Sequence, residues 1–163
     1  MTKMLKPSNS SISLAADLIK SGEIVAFPTE TVYGLGANAL DEKAVSNIFK
    51  AKGRPSDNPL IIHIAKKSDV LTLAKSIPKK AKVLVDKFWP GAITIILKKK
   101  ECVPSITCAN LDTVAIRMPK HNVALSIIKK QAFQSQPRQP IYQVSQVRLL
   151  QNMFYLILMD QFH

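Results

Sequence analysis

The sequence contains no apolar run approaching the length of about 18 residues that a membrane-spanning helix needs. Residues 1–10 are polar and lack the apolar stretch of a secretory signal peptide. Cysteine is scarce: Cys102 and Cys108 do not have C-x-x-C spacing, and no histidine cluster accompanies them. We therefore expect reduced structural thiols, no metal site formed by protein side chains, no membrane partner and a cytoplasmic location.

Acidic residues are also few. The chain of 163 residues has 11 Asp and Glu against 23 Lys and Arg, which gives a net charge of +12. This excess favours polyanionic partners such as nucleic acid, nucleotide phosphates or acidic membranes, although it does not distinguish between them. The length suits one domain with a sizeable core.

The composition changes abruptly after Lys130. Residues 1–130 contain no glutamine, whereas residues 131–163 contain eight glutamines and neither lysine nor glycine. The codons for residues 132–149 can also be read in the frame that starts at the third base of each codon. With permitted choices at degenerate positions, that frame can spell IPIAAPSANLSGKPSPT, and its continuation through residue 163 can spell a stretch like AEHVLFDLNGSI. We therefore predict a frameshift near Lys130, so that residues 1–130 form an incomplete domain and residues 131–163 an atypical, out-of-frame tail. The alternative is a low-complexity tail, and the gene's nucleotide sequence distinguishes the two.

Helical and strand patterns intermix at short spacing before this change. Apolar periodicity predicts helices around residues 14–19, 44–49, 69–76, 78–88 and 122–130. Apolar runs predict strands at residues 24–27, 60–64, 92–97 and 113–118. Asp41 fits the N-cap of the second helix, and Gly53 fits its C-terminal stop. The predicted class is α/β with a mixed sheet.

One candidate site is the loop in residues 27–36, which follows a strand. Three hydroxyl groups, from Thr29, Thr31 and Tyr33, and the carboxylate of Glu30 stand beside two glycines. Ligands in open α/β sheets bind beyond strand ends, and glycines let backbone N–H groups approach an anion. A turn whose polar residues satisfy its own backbone explains the segment equally well.

A second candidate is the basic loop that contains Lys52 and Arg54. The arginine offers a planar fork for phosphate oxygens, and the lysine offers a mobile point charge. Pro55 and Pro59 restrict the loop and lower the entropy cost of holding these charges in place. The alternative is an ordinary solvated basic loop.

Two polar residues lie on apolar strands. For His63, a hydrogen-bonded core histidine is the commoner interpretation. Arginine in an apolar strand is costly unless paired. Arg117 therefore either holds a protein carboxylate or binds the carboxylate of a substrate, and the sequence favours neither.

Four segments together resemble the YrdC-like family of threonylcarbamoyl-AMP synthases. They are PTETVYGLG at 28–36, Lys52-Gly-Arg54 with Asn58 and His63, FWPGAIT at 88–94, and VAIRMP at 114–119. The resemblance covers roughly residues 10–130 and implies a single domain with a twisted, open mixed sheet flanked by helices. It also implies synthesis of threonylcarbamoyl-adenylate and pyrophosphate from L-threonine, bicarbonate and ATP.

The resemblance further implies residue roles. Thr31, His63 and Arg117 would bind L-threonine, with Arg117 pairing with its carboxylate. Lys52 and Arg54 would be catalytic, and Mg²⁺ would accompany ATP. The implied ATP-binding side chains are polar or cationic: Lys52, Arg54, Asn58 and Thr113. The product would pass to a threonylcarbamoyl-transferase that modifies tRNA.

The chain departs from this family by lacking, in the frame as written, the S-A-N motif that closes the nucleotide site. We therefore predict missing or aberrant C-terminal elements, poor folding and little activity. Three alternatives remain: a non-enzymatic module for double-stranded RNA or tRNA, a carbamoyl-transfer domain like those of hydrogenase-maturation proteins, and an inactive frameshifted product. Salt-sensitive RNA binding without threonine-dependent ATP consumption would favour the first.

Overall fold

The computed structural model describes residues 3–53, 55–133, 141–147 and 156–159. Strands and helices intermix along these residues, so the predicted α/β class is confirmed. The strands are β1 Lys3–Leu5, β2 Ile24–Pro28, β3 Tyr33–Asn38, β4 Ile61–His63, β5 Thr94–Lys98, β6 Thr113–Arg117, β7 Ile141–Val147 and β8 Leu156–Met159. The α-helices are α1 Asn9–Lys20, α2 Glu42–Lys52, α3 Val70–Leu73, α4 Lys79–Phe88 and α5 Asn122–Phe133. In the part of the chain described, no helix has the length and apolar character needed to cross a bilayer.

The strands form one sheet in the order β1-β8-β2-β3-β7-β4-β6-β5. The pair β4–β6 is parallel and the other pairs are antiparallel, so the sheet is mixed, as predicted. The parallel register aligns His63 with Arg117, and the antiparallel register of β5 aligns Thr94 with Arg117. Two polar residues predicted to bind a substrate are therefore neighbours on one sheet.

The two faces of the sheet bury different clusters, as alternation along β2 illustrates. Ile24 and Ala26 belong to the larger cluster, which includes the buried side of α2. Val25 and Phe27 point the other way and pack with the buried residues of α1 and α5. Helices therefore lie against both faces.

The cover on the α1–α5 side does not extend over the far end of the sheet. Ile61, Ala115 and Ile96 are aligned across β4, β6 and β5, and Ile96 is 67% exposed. Their neighbours Ile95 and Val114, which point to the opposite side, are buried. We call the surface formed by Ile61, Ala115 and Ile96 the open face.

Helix α2 begins and ends where the sequence predicts. The Asp41 carboxylate accepts hydrogen bonds from the backbone N–H groups of Lys43 and Ala44. Gly53 ends the helix with a φ of 57°, in the left-handed region that glycine adopts without strain. These two ends fix where the basic loop leaves the helix.

The predicted helix at 69–76 is wrong in its extent. The structure has a 3-10 turn at Lys67–Asp69 and only the short helix α3 after it. Beyond α3, Ala74 bridges to Lys99 and the N–H of Lys75 donates to the carbonyl of Lys98. Sheet pairing at the end of β5 therefore replaces further helical turns.

The tail contributes two strands at interior positions of the sheet. Strand β7 pairs with both β3 and β4, and β8 pairs with both β1 and β2. These residues thus take part in the sheet in the frame as written. The frameshift stays a prediction for the gene sequence to test.

Candidate active site

Arg117 lies at the end of β6 with 9% of its surface exposed. Its Nη2 donates to Oε1 of Glu30 at 2.6 Å and to Oγ1 of Thr31 at 3.4 Å. Its Nε donates to the carbonyl oxygen of Gly91 at 3.2 Å. Of the two roles that the sequence left open, this structure has the first: Arg117 holds a protein carboxylate.

That carboxylate extends from the turn between β2 and β3. The Thr29 hydroxyl donates to the carbonyl of Val32 at 2.6 Å and accepts from the N–H groups of Thr31 and Val32 at 3.3 and 3.2 Å. The turn therefore satisfies its own backbone, as one interpretation of the sequence predicted. It also directs the side chain of Glu30, which is 20% exposed, onto Arg117.

The environment of Glu30 keeps it ionised. Burial alone raises the pKa of its carboxyl group. The hydrogen bond and the charge of Arg117, together with backbone hydrogen bonds from Glu30 itself and from Lys120, outweigh burial, so the pKa is lowered. Glu30 is therefore a charged acceptor at neutral pH. Burial lowers the pKa of the neighbouring His121, and the negative charge of Glu30 opposes that shift only in part.

His63 is fully buried beside Arg117. Burial, and then the positive charge of Arg117, lower its pKa to about 3, so the imidazole is neutral at physiological pH. Its ring meets the Phe27 ring edge-on, with 6.5 Å between centroids. Among the residues that the structure describes, neither ring nitrogen has a hydrogen-bond partner. A hydrogen-bonded core histidine, the commoner interpretation, is thus not what the fold provides.

Three of the residues implied for ATP lie in the part of the chain that the structure describes. Lys52 ends α2 and is half-buried, Asn58 is exposed in the loop, and Thr113 begins β6. Arg54 lies outside the described residues. Beside this loop, Lys50, Gly53 and Ser56 help to line a cleft of about 310 Å³. The basic loop therefore borders a concave surface.

The parallel pair β4–β6 sets the spacing between the two groups. Asn58 precedes β4 and Thr113 begins β6, whereas His63 and Arg117 end these strands. Arg117 lies four positions after Thr113, which at about 3.3 Å per residue is roughly 13 Å. The structure brings Thr31, His63 and Arg117 together at one end of the open face and places Asn58 and Thr113 at the other.

Sequence reasoning gave no separate role to Gly91, which positions Arg117. The carbonyl of Gly91 accepts from Arg117 Nε, and its N–H donates to the carbonyl of Met118 at 2.8 Å. The Trp89 indole N–H donates to the carbonyl of Ile93 at 2.7 Å and holds the loop closed. A glycine beside Pro90 was the available signal, but its partner lies 26 residues away along the chain.

We expect Gly91→Ala to destabilise the protein by about 1–3 kcal/mol, because the new Cβ would overlap the backbone carbonyl oxygen of Phe88. The loop would shift and move the acceptor of Arg117. Urea unfolding measures the stability loss. Ala92→Ser, at the exposed neighbouring position, is the matched control and should change stability by less than about 0.5 kcal/mol. Equal stabilities for the two variants would contradict the packing argument.

Comparisons with known proteins agree with the motifs. The family model for Sua5, YciO and YrdC, described as "Telomere recombination", matches residues 17–145. A threonylcarbamoyl-AMP synthase of Pyrococcus abyssi is 59% identical over 118 residues, which is 72% of this chain and 35% of the relative. One of Bacillus subtilis is 53% identical over 132 residues, or 80% of this chain and 38% of the relative.

A solved structure described as P. abyssi Sua5 complexed with L-threonine is 52% identical and superposes with a TM-score of 0.79. It covers 86% of this chain, whereas this chain covers 40% of it. The chain therefore spans little more than a third of the length of the curated relatives that it matches.

Proposed function

Because this chain belongs to the Sua5/YciO/YrdC family, we propose that its domain forms threonylcarbamoyl-adenylate and pyrophosphate from L-threonine, bicarbonate and ATP. The names of the curated relatives and the threonine-bound solved relative support this choice. The proposal depends on one observation. A nearly buried guanidinium, that of Arg117, lies beside the neutral imidazole of His63, whose nitrogens have no partner among the described residues.

Threonine fits the chemistry of this end of the open face. The guanidinium of Arg117 would bind the carboxylate through charge-assisted hydrogen bonds. A neutral imidazole can donate one hydrogen bond and accept another, which matches a hydroxyl group or an amine. The hydroxyl of Thr31 lies 3.4 Å from Arg117 and adds a further polar contact.

ATP would bind from the other end, where Asn58 and Thr113 lie. Lys52 and Arg54 would neutralise phosphate charge. Mg²⁺ would accompany ATP and would help to neutralise its phosphate charge. The interval of roughly 13 Å along β6 gives room for a carbamoylated amino acid followed by an α-phosphate. Ile61, Ala115 and Ile96 would form an apolar floor beneath them.

In this reaction the protein mainly positions the reactants. The threonine amine and bicarbonate give a carbamate and water. A carbamate oxygen then attacks the α-phosphorus, the new O–P bond forms, and the bond to the β-phosphate oxygen breaks to release pyrophosphate. Oriented reactants and neutralised charge account for catalysis of this kind without a protein nucleophile.

The product would be consumed by a separate transferase that acts on tRNA, and we place both steps in the cytosol. The net charge of +12 favours contact with tRNA or double-stranded RNA. A binding role without chemistry gives no reason for a fully buried His63 whose ring nitrogens have no partner among the described residues. We therefore favour the enzyme.

Pyrophosphate release tests the function and the predicted low activity of the chain as written together. We expect the chain as written to release little pyrophosphate, and a version with residues 131–163 restored to the alternative frame to release it only with threonine, bicarbonate and ATP. Omitting threonine is the control. No threonine-dependent release by either protein would overturn the function. Equal release by both would contradict the predicted loss of activity in the chain as written.

A further inference from the structure

The position expected for the substrate carboxylate is occupied by the protein itself. Oε1 of Glu30 lies 2.6 Å from Nη2 of Arg117, where the carboxylate of an amino acid would be expected. We propose that Glu30 is an internal placeholder: it neutralises Arg117 in the empty site and gives up this position when the amino-acid carboxylate binds. The proposal rests on the proposed function for the identity of the ligand.

The contacts of Glu30 form a built carboxylate site. The guanidinium of Arg117 donates to it at 2.6 Å from the end of β6. Backbone hydrogen bonds from Glu30 itself and from Lys120 also favour the ionised carboxylate. The Arg117 donor lies far from Glu30 in the sequence and does not depend on the glutamate backbone, so another carboxylate of similar size can accept from the same guanidinium.

Glu30 can leave this site at little structural cost. The hydroxyl of Thr29 holds the turn through Thr31 and Val32, and the Glu30 side chain takes no part in those bonds. The side chain is already 20% exposed. Rotation about its own side-chain bonds therefore suffices, and no strand pairing has to break.

His63 gives an independent indication of a ligand at this place. Both of its ring nitrogens lack a partner among the described residues, although the ring is fully buried and aligned with Arg117. Unpaired buried polar atoms are unfavourable, so their persistence fits a site completed by a polar molecule. Because the ring is enclosed, a neighbouring group must move before a ligand can reach it.

The competing explanation is that Glu30 is a permanent partner of Arg117, or that it binds the ammonium group of the substrate. The placeholder and the competing explanation predict opposite changes in threonine affinity when Glu30 is removed. A placeholder competes with the substrate, so its removal tightens binding. A permanent partner or an ammonium ligand supports the bound state, so its removal weakens binding.

The size of the effect follows from the fraction of molecules in which Arg117 is available. Apparent affinity falls in proportion to the population of the competent state. If Glu30 holds Arg117 in roughly nine of ten molecules, removing the competitor tightens threonine binding about tenfold. Glutamine at position 30 keeps the shape of the glutamate side chain and one hydrogen-bond acceptor but loses the negative charge.

The experiment compares Glu30→Gln and Glu30→Ala with the wild-type chain. Glu101→Gln removes one negative charge at an exposed position and is the matched control. Calorimetric titration measures the threonine Kd. Thermal unfolding with and without sodium acetate, in the absence of threonine, tests whether a free carboxylate binds at the guanidinium of Arg117. Sodium chloride at equal ionic strength controls for salt.

We expect Glu30→Gln to bind threonine roughly tenfold more tightly than wild type, with Glu101→Gln unchanged. We also expect acetate to raise the Tm of Glu30→Ala by a few degrees and that of wild type by less. A Kd that is unchanged or higher in both Glu30 variants overturns the placeholder and leaves the proposed function intact. If no protein binds threonine, the assignment of threonine as the ligand fails, and the acetate experiment decides the placeholder alone. Stabilisation of Glu30→Ala by acetate then supports the placeholder site, and the absence of any effect overturns it.

Discussion

Replacing His63 with leucine should stabilise the protein, most of all in acid, while threonine binding is lost. The folded protein holds the pKa of His63 at about 3, below its ordinary value of 6.5. Between these two values the unfolded chain binds the proton and the folded chain does not. Wild-type stability is therefore full above pH 6.5 and falls as the pH drops towards 3, by about 1.4 kcal/mol per pH unit at most.

Leucine removes this loss. Between pH 7 and pH 4 we expect the stability of His63→Leu to decline less than that of wild type by on the order of 3 kcal/mol. Removing two unpaired buried nitrogens should add about 1–3 kcal/mol at pH 7. Urea unfolding at both pH values measures the two effects, and calorimetry measures threonine binding.

His63→Gln separates titration from desolvation. Glutamine cannot gain a proton in this range but remains polar, so it should flatten the pH dependence without the gain at pH 7. A variant with leucine that is as acid-sensitive as wild type would contradict a neutral, unpaired His63. Full threonine binding by His63→Leu would remove this residue from the site.

In the version with residues 131–163 restored to the alternative frame, replacing Arg117 with methionine should lower threonine-dependent pyrophosphate release by about 100-fold or more, because a charge-assisted contact to the substrate carboxylate is lost. It should also destabilise the protein. Removing one partner of a buried ion pair costs about 3–5 kcal/mol. The side chains of this pair are 11% and 20% exposed, so we expect a smaller loss of about 2 kcal/mol.

A double variant distinguishes the two effects. Glu30→Gln combined with Arg117→Met removes the stranded carboxylate and should recover most of the stability, yet it should stay inactive. Arg117→Lys keeps the charge without the planar fork and should lose less activity than methionine. Wild-type activity in Arg117→Met would exclude this residue from substrate binding.

The sequence was most informative where structure depends on neighbours along the chain. The carboxylate of Asp41, the buried stripe of α2 and the left-handed Gly53 all act within one helix, so local chemistry was enough to predict them. The pairing of Arg117 with Glu30 was not predictable in this way, because the two lie 87 positions apart in the sequence. The cost of burying an arginine indicated that a carboxylate was needed, but it could not indicate which one.

The extent of α3 illustrates the same limit. Its apolar spacing predicted a longer helix, but Ala74 and Lys75 pair with the end of β5, and tertiary pairing decides where the helix stops. The positions of β7 and β8 in the sheet are likewise set by partners distant in sequence. Motif resemblance supplied the assignment of Thr31, His63 and Arg117 to one site, which periodicity alone would not have done.

The sheet order has a consequence for synthesis of the chain on the ribosome. Strands β2, β3 and β4 are translated first, yet β7, which lies between β3 and β4, and β8, which lies beside β2, follow much later in the sequence. Until β7 and β8 have been translated, the earlier strands expose unpaired backbone edges, which are prone to association with other chains. We expect nascent chains of this protein to depend on chaperones until β7 and β8 have left the exit tunnel.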